Sequence, residues 1–126
     1  MMYLIVFIGA GIGGALRHGV NVGSAKLFGL GFPTGTLIVN VIGSFAMGLL
    51  AGYFAAKPGI SQHVRLFLTT GILGGFTTFS AFSAESLIML QRGELALAAT
   101  HTLAHVLGAL ACAALGFRLA QAALGT

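Results

Sequence analysis

An asparagine in the middle of an apolar run is the first residue of this sequence whose type asks for a chemical explanation. Asn40 lies in "PTGTLIVNVIGSF" (33 to 45), with Thr36 and Ser44 one helical turn to either side, and the same stripe continues as Gly48 and Gly52. An amide in apolar surroundings either donates to a neighbouring helix or solvates an ion, and the residue types leave both readings open. A second constellation is "GILGGFTTFSAFSAES" (71 to 86). Gly71, Gly74 and Gly75 followed by Thr77 and Thr78 form helix poorly, because glycine loses the most backbone entropy and threonine is stiff at χ1. A helix entering this stretch is expected to break there. At a break the first half-helix ends in carbonyls, which attract cations, and the second starts in N–H groups, which attract anions. Beyond it, Phe79, Phe82, Ser83 and Ser86 share a face at spacings of three and four. Two phenylalanines at that spacing, taken by themselves, read as core packing.

The elements that hold these groups must sit in lipid. The chain has 126 residues, of which 57% are hydrophobic and only 6% charged, with a mean hydropathy of +1.01 and no tryptophan. Its apolar runs fall at 3 to 24, 34 to 56, 65 to 90 and 95 to 120, divided by "KLFGLGFP", "KPGISQH" and "QRGE". Each run suffices for a bilayer core of about 30 Å, which needs roughly 20 helical residues. The runs are continuous and show no strand alternation, so the expected fold is a single all-α transmembrane domain, 1 to 126, of four helices with a break in the third.

Several motifs do not carry function. The N-terminal run has no basic residue before Arg17, which favours an uncleaved first helix over a signal peptide. Gly9, Gly11 and Gly14 match a dinucleotide-binding fingerprint, but the first acid in the chain is Glu85, too far on to hold a ribose. Close helix packing is the better expectation for these glycines. Cys112 is the only cysteine and forms no intrachain disulfide. There is no catalytic triad or metal motif, and no enzymatic activity is expected.

The charges bear on assembly. Four spans put Lys57, Arg65 and Arg118 on one side and Lys26, Arg92 and Arg17 on the other, three against three. A chain without an excess of basic residues on one side has no orienting signal; either so short a protein merely carries few charges, or it inserts in both directions and assembles as an antiparallel homodimer. In the second case the net charge of +4 is shared by both faces and does not point to nucleic acid.

"GGFTTFSAFSAE" (74 to 85), with "PTGTLIVNVIGSF" (33 to 45) and "GIGGALRHG" (11 to 19), resembles the Fluc, or CrcB, family of fluoride channels over all four spans. The resemblance implies a dual-topology antiparallel homodimer in a bacterial inner membrane, two anion pores at the subunit interface and a structural sodium ion at the centre. By similarity, the backbone carbonyls of Gly74 and Thr77 from both subunits ligate the sodium. Phe79 and Phe82 form a ring pair facing fluoride, and Asn40 supplies an amide donor. Ser80 and Thr36 extend a polar track, Arg17 stands near an aqueous vestibule, and Glu85 is the acid beside the pore. An ionised carboxylate in the path would repel fluoride, so Glu85 is expected beside the path, hydrogen-bonded elsewhere, or protonated.

Two positions depart from the family pattern. Ala81 lacks a hydroxyl that many members carry, and His101 stands where tyrosine is frequent, with His105 one turn later. His101 is read as a neutral donor at the far end of the pore, with packing as the alternative; two histidines alone make a weak metal site. A small multidrug transporter is a second reading of a short four-helix dimer, but its proton coupling needs an acid in the first helix, and none is present. A non-transporting membrane scaffold is the third.

Overall fold

Long apolar segments in lipid must satisfy their own backbone hydrogen bonds, and here they do so as helices. The computed structural model describes residues 1–125, among which there is no strand. Four stretches are long and apolar enough to cross a membrane: Met2–Phe28, Thr34–Ala56, Gln62–Gln91 and Leu95–Leu124. The first, second and last are the uninterrupted helices α1 (Met2–Phe28), α2 (Thr34–Ala56) and α6 (Leu95–Leu124). The first, third and fourth spans run one to four residues beyond expected ends, because helical hydrogen bonding continues after hydropathy falls.

The third span is composite. It begins as α3 (Gln62–Leu66), capped by Ser61 Oγ, which accepts from Val64 N at 3.3 Å. It continues as a π-helical stretch, Phe67–Leu73, and a short α4 (Gly74–Phe76). Thr77 and Thr78 are extended, with φ, ψ of −86°, 159° and −153°, 111°. α5 (Phe79–Gln91) then starts with Thr78 as its cap, Oγ1 accepting from Ala81 N at 3.1 Å.

Small residues set the helix spacing, as expected where lipid supplies no hydrophobic drive between helices. A Cβ on Gly13 would strike the backbone of Ile72 and Phe76, and one on Gly75 would strike that of Ala10, so α1 lies directly against the third span. On α2, Gly48 lies against the carbonyl of Ala113, and Gly116 of α6 lies against that of Phe45. The polar stripe of α2 thus serves two neighbours. Thr36 and Asn40 face the third span, whereas Gly48 and Gly52 face α6. Ser24 and Thr34 hydroxyls hydrogen-bond across the α1–α2 turn. α1 leaves Tyr3, Leu4, Phe7, Ile8, Ile12 and Leu16 exposed on the protomer.

Candidate functional site

The site forms where the extended Thr77–Thr78 segment meets α2. Asn40 Nδ2 donates to Thr78 O at 2.9 Å, and Thr78 N donates to Asn40 Oδ1 at 2.8 Å. The amide side chain thereby replaces a peptide partner for a residue that has left the helix, which answers the requirement that buried backbone groups be paired. Asn40 and Thr78 are each 9% exposed. One amide N–H is committed to this clamp; an amide carries two.

The clamp also frees carbonyls. In a continuous helix Thr78 N would bond the Gly74 carbonyl and Ala81 N the Thr77 carbonyl. Here Thr78 N goes to Asn40 Oδ1 and Ala81 N to Thr78 Oγ1. Gly74 and Thr77 therefore lack their helical donors, and their oxygens suit a hard cation such as sodium. Between them, the Gly75 carbonyl accepts from Arg17 Nε at 3.0 Å. That places a cationic group at the carboxyl end of the first half-helix, where the helix dipole favours positive charge. Arg17 is not among the residues lining the open funnel described below.

A second polar chain lies nearer the end of the span. Thr36 Oγ1 donates to Glu85 Oε2 at 2.6 Å, and His101 Nε2 lies 3.1 Å from Glu85 Oε1. Both carboxylate oxygens are thus engaged by neighbours. A funnel of about 420 Å³ opens onto this pair, lined in part by Asn21, Ser24, Thr36, Glu85, Arg92 and Glu94. His101 is fully buried, with Phe32 edge-on to its ring at 5.2 Å.

Aromatic rings connect the two regions. Phe79 is 78% exposed on the protomer and lies 5.5 Å from Phe82 between ring centroids. Phe82 in turn lies 5.2 Å from His101 and 4.4 Å from His105. Ser80 Oγ is 3.2 Å from Thr78 Oγ1, and Ser80 is exposed. Ala81 leaves no hydroxyl beside it.

The residues expected along a pore, Asn40, Thr36, Ser80, Phe79 and Phe82 with His101 at its far end and Glu85 beside it, fall into two linked clusters. The pairing of Asn40 with Thr78, of Arg17 with Gly75 and of His101 with Phe32 is visible only in the structure. The first two contacts use backbone groups, and the third uses a loop residue with no periodic signal. No group of three or more His, Cys, Asp or Glu side chains capable of holding a metal ion occurs among the described residues.

Residues 4–117 match the family model described as CrcB-like protein, Camphor Resistance (CrcB). The chain is 58% identical over 108 residues to a protein of Methylobacterium nodulans named fluoride-specific ion channel FluC, covering 86% of each chain. It is 54% identical over 116 residues to a protein of the same name from a Methylobacterium species, covering 92% of this chain and 93% of that one. A Rhodopseudomonas palustris protein of that name is 52% identical over 122 residues, covering 97% and 98%.

Proposed function

Because the chain belongs to the CrcB family, we propose that this multi-pass membrane protein is a fluoride-selective channel, working as an antiparallel dual-topology homodimer in a bacterial inner membrane. Fluoride moves passively down its gradient through two pores at the subunit interface, and no covalent chemistry is involved. The observation that carries the reading is the extended Thr77–Thr78 segment within a span, followed by a fresh helix start bearing Phe79 and Phe82.

The physical problem is dehydration. Moving a small ion from water to a medium of low dielectric costs on the order of 20 kcal/mol before compensation. A fixed full charge would repay that cost but hold the ion; weak donors in series repay it and let go. The funnel admits fluoride toward Thr36 and Glu85. Ser80, whose side chain is exposed beside the start of α5, offers a hydroxyl. The second N–H of Asn40 offers an amide donor. The first N–H groups of α5 add the positive end of a helix dipole. The edges of Phe79 and Phe82 complete the series, attracting an anion by their quadrupoles without trapping it. Glu85 stands beside the path with its oxygens held by Thr36 and His101.

Sodium, where bound, would be held by the Gly74 and Thr77 carbonyls of both subunits and would supply a positive charge that fastens the two half-helices at the dimer centre. This chain's own contribution is to release those carbonyls, through the Asn40 clamp and the Thr78 cap.

The decisive experiment is fluoride efflux from liposomes containing the purified dimer, read with a fluoride electrode. Rapid fluoride efflux with chloride retained is expected. An assembled dimer that passes no fluoride would overturn the proposal.

A further inference from the structure

His105 is a buried titratable side chain for which the channel reading has no use. It is 6% exposed, and its Nδ1 lies 3.0 Å from the carbonyl oxygen of His101, one turn back on α6. A carbonyl only accepts, so Nδ1 carries the proton, and in the neutral ring Nε2 carries the lone pair. That Nε2 is buried and has no hydrogen-bond partner. An anion needs a donor, and this ring has spent its donor on the backbone. His105 in this tautomer is therefore unsuited to touch fluoride, although it lies one helical turn from His101.

What His105 does touch is Phe82. The two ring centroids are 4.4 Å apart and the planes are inclined by only 33°, the nearest ring contact that Phe82 makes. The hydrogen bond to His101 O fixes the imidazole plane, so the phenyl ring rests on a support that cannot swivel freely. A ring covered on its face directs its edge elsewhere, and the edge is the positive part of its quadrupole.

We propose that His105 is a positioning residue for Phe82: its imidazole, fixed by the His101 carbonyl, covers one face of the phenyl ring and so holds the ring edge toward the anion path. His105 acts through Phe82 and makes no contact with the ion. The inference rests on the fluoride-channel reading only for its effect on transport; the ring geometry stands by itself.

The test uses the full-length dimer with His105→Ala and His105→Phe. Alanine removes the support, whereas phenylalanine keeps a flat ring and removes both nitrogens. Two readouts are taken: fluoride efflux per assembled dimer, and the ¹⁹F resonance of 4-fluorophenylalanine introduced at position 82. The expected result is an about tenfold drop in efflux for His105→Ala, the rate equivalent of losing one aromatic contact. The resonance of that variant should shift and broaden. His105→Phe should restore efflux to within about threefold of the unmodified protein, the rate equivalent of under 1 kcal/mol, with a narrow resonance.

Normal efflux in His105→Ala overturns the proposal. So does an equal loss in both variants, because a nitrogen and not the ring would then be responsible. Where His105→Ala does not assemble, the Phe82 resonance in His105→Phe decides alone: narrow supports the stacking role, and broad refutes it. If the unmodified dimer passes no fluoride, the channel reading fails, and the ¹⁹F comparison still decides whether His105 fixes Phe82.

Discussion

Replacing Asn40 by leucine removes a clamp whose strength can be worked out from its two bonds. Thr78 N and Thr78 O both lose their partner, and the residue is 9% exposed. A buried polar group left unpaired costs about 1–3 kcal/mol, so the pair costs about 2–6 kcal/mol. In membranes hydrogen bonds between helices average about 0.6 kcal/mol, because freed groups find other partners. Thr78 is badly placed to find one. Its backbone is extended, and the Thr77 amide N already takes the Leu73 carbonyl at 3.0 Å. The larger range is therefore expected for Asn40→Leu, measured as denaturant or thermal unfolding of the dimer in a fixed detergent. Asn40→Asp sharpens the test. An ionised carboxylate accepts from Thr78 N but faces Thr78 O with no proton to give; a protonated one donates there and restores the pair. The aspartate protein should accordingly gain stability as pH falls, while the leucine protein gains none relative to the unmodified one. A loss below about 1 kcal/mol for Asn40→Leu, no more than the two-bond membrane average, would refute the clamp.

Other consequences are equally direct. Phe82→Ile should leave the dimer assembled but cut fluoride efflux per dimer about tenfold, as roughly 1.4 kcal/mol of ring-edge attraction disappears; unchanged efflux would reduce the rings to packing. Gly13→Ala forces a methyl into the backbone of Ile72 and Phe76 and should destabilise by about 1–3 kcal/mol. Gly14→Ala, which meets nothing within the protomer, serves as its control, and comparable unfolding midpoints for the two would sink the close-packing argument. Adding three lysines after residue 126 should bias insertion to one orientation and lower activity unless an oppositely biased copy is co-expressed. A C-terminal reporter found on a single side for the unmodified chain would contradict dual topology.

Hydropathy made the spans legible because crossing a bilayer constrains composition over about 20 residues at a time. It located α2 at 34 to 56 and the start of α6 at 95, but it cannot register hydrogen bonds that carry α1 on to Phe28 and α6 to Leu124. The glycine and threonine run marked residues 74 to 78 as poor helix, yet nothing in it announced the π-helical turns at Phe67–Leu73, which lie where Gly9 and Gly13 of α1 approach the backbone of Phe67, Gly71 and Ile72. The candidate site was legible as residue types. Its wiring was not, because Asn40 and Thr78 are 38 positions apart and Glu85 and His101 are 16 apart. A four-residue period places Thr36, Asn40, Gly48 and Gly52 on one stripe; only packing reveals that its polar half addresses one neighbour and its small half another.

The wiring separates groups the protomer has consumed from groups it leaves open. Arg17 is tied to the Gly75 carbonyl, Thr36 to Glu85, Glu85 to His101, and half of the Asn40 amide donor capacity to Thr78. These contacts occupy donors near the extended segment, Arg17 Nε, the Thr36 hydroxyl and one Asn40 N–H, that would otherwise hold an anion in place. What stays exposed beside that segment is weaker: Phe79, the Ser80 hydroxyl and the start of α5. A pathway needs that distribution, because each site must attract a dehydrating ion by less than its neighbours can offer in exchange. It also accounts for the position of Phe79, a phenylalanine 78% exposed on a single protomer. In a lone subunit it would be one more ring in lipid. In an antiparallel dimer it would stand at the seam, where a second copy supplies the opposite wall. The exposure of Phe79 is thus the geometric ground on which the proposed dimer rests, and co-expression of oppositely biased copies is the measurement that addresses it.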